Sequence, residues 1–509
     1  MMFLIKRLED ALRRLITSST YCDLREGCEV TGRQELEDSI RVDYTDSEGK
    51  PSQINCQWLI GADGKKGIVR KHFLEPTADV KQETGLFSYE GTWVAANLKI
   101  HPPTPETHPD FPLWNLGFTP DRVYNLYWPK HWHFCSPPGS PTACGRFGPH
   151  EDRIWRHEIA VPNWDDSMDA EHALLQHLLP MVTRSADESG NTFSGGPVPF
   201  PKECIEVLRC RPFTFAQKVV NKWFHGRTVL IGDAAHVFPP FGGQGIACGI
   251  RDAYGLSWRL AILLSLPKPL SKGLADRMLD AWASERRQGV DDSTRMTMMN
   301  GKMCNEEDTL GMAMLRNIVE FLGKLPVIGN FFDLKLQHDS HGYKPTKNGF
   351  YLSAFGGGGK LAQIYVHAPG QEMFLSDQLL RRNTVMTLLI VGKYDTKRHD
   401  SVKQIIQRSK VPSYVLSEAS IIFIDTESTK SEKTVGLVDN SKNTISVISK
   451  EGVAGKRLRE GYDDSVYFDR LGRSTKFAIL RPDSIIYAAV KSLPQLESCL
   501  SSLRASLNQ

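Results

Sequence analysis

The ten cysteines of this chain include no C-x-x-C pair, and its opening residues are not expected to form a secretory leader. Thiols scattered singly in this way are expected to be reduced and buried in an intracellular, cytoplasmic protein, neither disulfides nor zinc ligands. An excess of one charge is also lacking. The 62 lysines and arginines against 59 acids leave a net charge of +3 with no basic cluster, so neither nucleic acid nor an anionic membrane is implied as a partner. Long apolar runs are missing too: the start "MMFLI" is broken by Lys6 and Arg7. The run near Leu260 to Leu266 falls far short of the roughly 20 residues a spanning helix needs. There is no internal repeat, no low-complexity tract and no G-x-G-x-x-G dinucleotide fingerprint. What is present is 40% hydrophobic residues over 509 positions, enough for about two or three packed domains.

Along the chain, "LIKRLEDALRRLI" places Leu4, Leu8, Leu12 and Leu15, with Ile5 and Ile16, on one helical face and predicts a core-facing helix. A domain seldom starts inside a helix, so these first residues read as the middle of a unit. "SIRVDYTD" and "QWLIGADG" predict two short strands, the second ending at Gly61 and breaking into a turn. Between 80 and 215 the alternation of "GTWVAANLKI" and "RIWRHEIAV", punctuated by "HPPTPETHP" and "SPPGSP", predicts a mostly antiparallel sheet. Helical periodicity covers 270 to 322. A Gly-rich connection with "FGGGGK" follows, read as flexible because it lacks the earlier glycine and the hydroxyl of a phosphate loop. From 371, "TVMTLLIVG", "DSVKQIIQRSK", "ASIIFIDTE", "KFAILRPDSIIYAAV" and "SLPQLESCLSSLRASL" have the order of a small α/β sandwich.

The chemistry concentrates in "RTVLIGDAAHVFPPFGGQGIACGIRDAYGLSWRL", residues 227 to 260. "TVLIGD" predicts a buried parallel strand with Asp233 at its carboxyl end, where open α/β sheets place ligands. Gly242, Gly243, Gly245 and Gly249 then open a helix, where residues without side chains let a ligand lie on backbone N–H groups and the positive helix end. Pro239 and Pro240 stiffen the approach, which suits a flat ring pressed against a rigid loop. In "GADGKKGIVRKHF", Asp63 and Gly64 form a turn after a strand, and Arg70 is a cation able to pair with Asp63 or with phosphate; otherwise the stretch is a capped turn with a surface arginine.

Both stretches resemble motifs of the single-component flavin aromatic hydroxylases of the para-hydroxybenzoate hydroxylase and phenol 2-monooxygenase type. "GDAAHVFPPFGGQGIACGIRDAYGLSWRLA" is similar to their late G-D motif, and "GADGKKGIVRKHF" to their D-G motif. The resemblance implies that Gly232 and Asp233 bind the ribityl part of FAD, and that Pro240 with Gly242, Gly243, Gln244 and Gly245 lines the isoalloxazine ring. It assigns Asp63, Gly64 and Arg70 to FAD and to NADPH or NADH. It also implies an α/β (α+β) protein: an FAD-binding α/β domain (1–80 and 216–335) interleaved with a mixed or antiparallel substrate-binding sheet domain (81–215). A linker (336–370) and a thioredoxin-like domain (371–509) with a "RPD" strand pair would complete it. Cys499 is the only thiol of that last unit, which excludes disulfide exchange and leaves a packing or homodimer-contact role. Because the motifs all precede residue 260, deleting 371–509 is expected to leave a flavin site intact.

In such a family NAD(P)H and O₂ serve to hydroxylate an electron-rich ring, here a phenolic or other aromatic, polyketide-type substrate. The motifs do not separate this from Baeyer–Villiger oxygenation, from epoxidation, or from an impaired remnant that binds a small molecule or partner. No catalytic residue is singled out. The chain departs from the family in having no G-x-G-x-x-G unit, Ile5 in place of a glutamine, and Ala247 and Gly255 in place of asparagines, so as written it is expected to retain little FAD and to turn over NADPH poorly. His236 is read as structuring the loop by hydrogen bonds. "HWHFC" (131–135) would set His131 and His133 on one strand face, but with no third ligand it is read as an aromatic-rich strand, not a metal site.

Overall fold

The computed structural model describes most of residues 2–507; outside it lie 267–271, most of 306–341, 430–443, most of 454–461 and a few single positions. Helix α1 (Met2–Thr17) forms where its periodicity predicts. Its apolar stripe is not in a core, however: Leu8, Leu12 and Leu15 are 44%, 49% and 66% exposed, because no described element lies over it. Spacing specifies a helical face, but not what covers that face. Strands β1 (Glu29–Glu35), β2 (Ile40–Thr45) and β3 (Pro51–Cys56) follow as an antiparallel sheet. β1 and β3 carry too few apolar residues to have been legible as strands. β4 (Leu59–Gly61) ends where predicted, and the short helix α2 (Glu75–Ala78) and β5 (Gln82–Thr84) close this part.

The antiparallel sheet predicted for the middle of the chain is present. It contains β6 (Glu90–Ile100), β7 (Trp132–Cys135), β8 (Thr142–Arg146), β9 (Ile154–Ala160) and, after the small β10 (Thr183–Arg184) and β11 (Val198–Pro199) pair, β12 (Ile205–Ala216), in the order β12-β6-β9-β8-β7. Side chains alternate between its faces, as strand geometry requires. Val94, Ala96, Leu98, Cys144, Trp155 and Ile159 point to a core shared with helices α3 (Pro120–Tyr127) and α4 (Ala170–Met181). Trp93, Ala143, Phe134 and Phe215 point the other way and pack with Tyr89 and Phe241. His131 has φ +74° and precedes β7, so it does not share a strand face with His133, which stacks on Trp155. Among the described residues no group of His, Cys, Asp and Glu could hold a metal, and no helix is long and apolar enough to cross a membrane.

The chain then returns beside its first part. β13 (Lys218–Val220) pairs with β5, β14 (Phe224–His225) with β15 (Thr228–Leu230), and β16 (His236–Val237) with β13. β15 runs parallel to β4 with Leu230 opposite Gly61, so the two motif turns leave from the same end of neighbouring strands. Helices α5 (Gln244–Ser265) and α6 (Lys272–Asn305) follow; the helical reading beyond 305 falls largely outside the described residues.

In the "FGGGGK" segment the structure overturns the flexible reading. Gly358 N–H donates to Ile486 O at 2.8 Å, Gly359 O accepts from Ile486 N–H at 2.8 Å, and Tyr343 N–H donates to Gly358 O at 2.7 Å. A Cβ at Gly357 would lie 2.2 Å from Tyr487 O, so the absent side chains permit close packing of backbone on backbone. Residues 365–367, ahead of 371, already belong to the last sheet as β17 (Tyr365–His367). That sheet continues with β18 (Phe374–Leu375), β19 (Thr387–Val391), β20 (Ile421–Thr429), β21 (Thr444–Ile448), β22 (Phe477–Leu480) and β23 (Ile486–Val490). Helix α7 (Thr396–Ser409) links the parallel pair β19 and β20. After the short α8 (Val466–Leu471), the hairpin β22–β23 leads into α9 (Leu493–Leu507). The order β20-β19-β22-β23, with β19 and β20 parallel and β22 and β23 antiparallel, is consistent with the expected small α/β sandwich.

This unit does not stand apart. Leu388, Ile390, Ile479, Leu496, Leu500 and Leu503 share one core with Trp258, Ile262, Leu263 and Met278 of α5 and α6. This shared core argues against removing the unit with the flavin site intact: hydrophobic continuity joins what sequence position separates.

Candidate functional site

β15 is a threonine followed by two apolar residues, all three buried, and Ile231 N–H extends its pairing to Gly61 O at 3.0 Å. The strand then breaks at Gly232, which has φ +59°, a conformation glycine adopts without strain. Gly249 of α5 faces this break, and a Cβ on it would stand 3.3 Å from Gly232 Cα. The helix thus comes down directly on the turn. Asp233 follows with its side chain open to solvent, and none of the described residues donates a hydrogen bond to its carboxylate. Protein packed on its other sides raises this carboxyl above its ordinary value, against the opposing pull of His236 and Lys65.

The loop continues through Pro239 and Pro240 to Phe241, which is fully buried edge-on between Tyr89 and Trp93 at centroid distances of 5.4 and 5.3 Å. Asn300 Nδ2 donates to Phe241 O at 3.1 Å. Gly242 N–H donates back to Pro240 O at 2.8 Å, and Gln244 Nε2 to Gly242 O at 3.0 Å, so the loop is fastened internally. Gly243, with φ +59°, begins α5, and no side chain caps it. The first amides of a helix have no partner within it. Space is open where side chains of Gly243 and Gly245 would stand. Open, uncapped N–H groups beside an unpaired carboxylate form a cradle for a ligand with hydroxyls and a polar, electron-accepting edge.

Across the strand pair, Gly64 has φ +82° and Asp63 Oδ2 accepts from Val69 N–H at 2.9 Å, closing the D-G turn. Arg70 differs from its expectation. It is only 4% exposed, and its guanidinium donates to Lys65 O at 2.8 Å and to Glu75 at 3.4 Å, so it neither pairs with Asp63 nor lies on the surface. Turning inward, Arg70 ties down the Lys65 backbone, while the Lys65 ammonium donates to Thr214 O at 3.3 Å.

Sequence reasoning missed Asp252. This residue of α5 is fully buried and accepts from Gly232 N–H at 2.9 Å and from Arg286 Nε at 2.6 Å, and it pairs with His236 Nε2 at 2.7 Å. Burial would raise its carboxyl, but His236 and Arg286 together hold it below its ordinary value. His236 has the loop-structuring role expected of it. An acid at 252 and an arginine two turns on at 259, set among the apolar residues of one helix face, were the available signal, since buried charges need partners.

A family model described as an FAD binding domain matches residues 2–159 and 200–297, just over half of the chain. The chain is 27% identical over 303 residues to a probable NADH-specific resorcinol 4-hydroxylase of Rhodococcus jostii, covering 59% of this chain and 47% of that protein. It is 24% identical over 279 residues to a 3-(3-hydroxy-phenyl)propionate/3-hydroxycinnamic acid hydroxylase of Burkholderia cenocepacia, covering 55% and 41%. The chain thus spans about half the length of the curated relatives it matches. In fold it is similar to the flavin-dependent monooxygenase PieE, solved with FAD and substrate, with TM-score 0.61 and 15% identity over 98% of this chain and 79% of that one. It is also similar to the aromatic hydroxylase CabE, with TM-score 0.53 and 16% identity over 92% and 73%. With its two motif turns at adjoining strand ends and a matching family model over more than half its length, the chain belongs to the FAD binding domain family of single-component aromatic monooxygenases.

Proposed function

We propose that this protein acts as an FAD-dependent monooxygenase that hydroxylates a phenolic or other aromatic, polyketide-type substrate with NAD(P)H and O₂. The observation that carries this reading is the unpaired Asp233 carboxylate beside the open, glycine-lined start of α5. These groups fit FAD: Asp233, with Gly232 fixing its turn, would accept hydroxyls of the ribityl chain. Pro240, Gly242, Gly243, Gln244 and Gly245 would lie along the flat ring with the α5 amides at its polar edge. Asp63, Gly64 and Arg70 shape the neighbouring turn toward the same ligand. The chemistry that bound FAD supplies is two-electron uptake from a nicotinamide and the use of those electrons to activate O₂; the name of the Rhodococcus relative supports the nicotinamide.

The chain's own part is enclosure and orientation. Trp93, Phe134, Phe215 and Phe241 form an apolar wall between the sheet and the glycine loop, suited to a flat ring and to excluding water. Tyr89 is the polar group in that wall. Its oxygen accepts the Trp93 indole N–H at 2.8 Å, leaving its own proton for a substrate oxygen. Tyr89→Phe is expected to raise KM for a phenol about tenfold, the loss of one hydrogen bond of roughly 1.4 kcal/mol, with FAD affinity unchanged. Steady-state kinetics beside a flavin titration check this, and equal KM values would remove Tyr89 from the pocket. The reading as a whole is tested by titrating the protein with FAD, then following NADH and NADPH oxidation over a panel of phenols with product analysis. Saturable FAD binding and phenol-dependent oxidation to a ring-hydroxylated product support it; an absence of FAD binding refutes it.

A further inference from the structure

The C-terminal unit reaches the cofactor loop through buried charge. Arg481, in the turn after β22, is fully buried. Its Nη1 and Nη2 donate to the two carboxylate oxygens of Glu285 on α6, each at 2.8 Å. Its Nε and Nη2 donate to Asp483 at 2.9 and 2.5 Å, and Nη1 also reaches Phe350 O at 3.2 Å. Glu285 accepts in addition from Arg259 of α5 at 2.8 Å and from Phe350 N–H at 2.9 Å. Two cations and two anions therefore balance in a dry site, and the paired arginines hold the Glu285 carboxyl down to about 2 although burial alone would raise it. Trp258 Nε1 to Asp483 at 3.2 Å and Tyr254 to Pro482 O at 2.6 Å tie the "RPD" turn to α5 itself.

The next residue on α6 belongs to the other cluster. Arg286 holds Asp252, and Asp252 holds Gly232 N–H and His236 at the candidate flavin loop. Each helix contributes one residue to each cluster, α5 through Asp252 and Arg259, α6 through Arg286 and Glu285. A slide or roll of α6 against α5 thus breaks both sets of bonds together. Fork-to-carboxylate bonds are directional, so they fix helix register in a way that apolar packing does not.

We infer that Arg481 is a positioning residue for the flavin loop: by fixing Glu285 it sets the α5–α6 register in which Arg286 and Asp252 hold the Gly232–Asp233 turn. This assigns the C-terminal unit, which carries no pair of thiols, the task of completing the cofactor site from behind, and it rests on the flavin reading given above. The experiment compares the full chain with Arg481→Lys, which keeps the charge but cannot bridge both carboxylates, and with Asp483→Asn as a milder second variant. Hydrogen exchange is followed in segment 228–243 and, as control, in segment 93–100 of β6. Exchange in 228–243 is expected to rise about tenfold in Arg481→Lys, with the control unchanged. In FAD titration Arg481→Lys should bind about tenfold more weakly, and adding it to Asp252→Asn should cost little more than Asp252→Asn alone, since coupled sites are not additive. Unchanged exchange at 228–243 in both variants, or an equal rise in both segments as general loosening would give, overturns the inference. The exchange arm needs no flavin, so a parent chain that fails to bind FAD counts against the proposed function and leaves this result to be judged separately.

Discussion

A chain ending at residue 370 is expected to lose the fold of its flavin unit, beyond any change in association. Trp258, Ile262, Leu263 and Met278 are buried against side chains that the truncation removes, among them Leu388, Ile390, Leu496, Leu500 and Leu503. Each such side chain returned to water costs about 1.5–3 kcal/mol, and several together exceed the roughly 5–15 kcal/mol that holds a domain folded. The truncation also takes Arg481 from Glu285, leaving that buried carboxylate, among the described residues, with Arg259 as its one bonded cation. Far-UV circular dichroism and thermal melting of the truncated chain should show no cooperative transition from α5 and α6, the sheet of β6–β9 and β12 melting separately on its own core. A sharp melt with the flavin affinity of the full chain would contradict the shared core.

Asp252→Ala should lower stability by about 3–5 kcal/mol, the cost of removing one partner from a buried, paired charge. Arg286 would lose its carboxylate in a fully buried setting, and Gly232 N–H and His236 would lose their acceptor. The pH dependence has a definite sign. The folded carboxyl lies below its ordinary value, so its contribution is complete above about 3.9, the unfolded value, and is lost as pH falls toward the folded one. Denaturant unfolding of parent and variant should therefore differ most near neutrality and converge in acid. A neutral-pH difference under about 1 kcal/mol would mean that Asp252 is not the hub its bonds describe.

What was legible in the sequence was local. A strand leading toward Asp233, two prolines and a glycine-lined helix start specify a turn, a fastened loop and a bare helix end, and these formed, although the strand stops at Leu230 and Asp233 lies in the turn beyond it and not at the strand's last position. Alternation placed β6 and β9, and the "RPD" segment formed the expected β22–β23 hairpin. What escaped was pairing at a distance. Arg481 and Glu285 are 196 residues apart, and nothing in the surroundings of either announces the other. Arg70 read as a cation for Asp63 or for phosphate because an arginine's charge is evident in a sequence whereas the carbonyl it turns toward is not. The stripe of α1 misled in the opposite direction, since periodicity reports a face and is silent on its cover. The glycines near 357 suggested freedom where the same missing side chains serve close packing.

The central claim, that Asp233 and the start of α5 hold the flavin, is tested most directly by titrating the parent chain and Asp233→Ala with FAD while following flavin fluorescence, and by melting both without FAD. The carboxylate should contribute about 1.5–3 kcal/mol through charge-assisted hydrogen bonds, so affinity should fall roughly tenfold or more. The melt carries the opposite sign. A carboxyl raised above its ordinary value costs folding stability once ionised, so at pH 7 the variant without FAD should melt no lower than the parent. Weaker FAD binding in a chain of undiminished stability is the predicted result, and an affinity for FAD unchanged by Asp233→Ala would contradict the account.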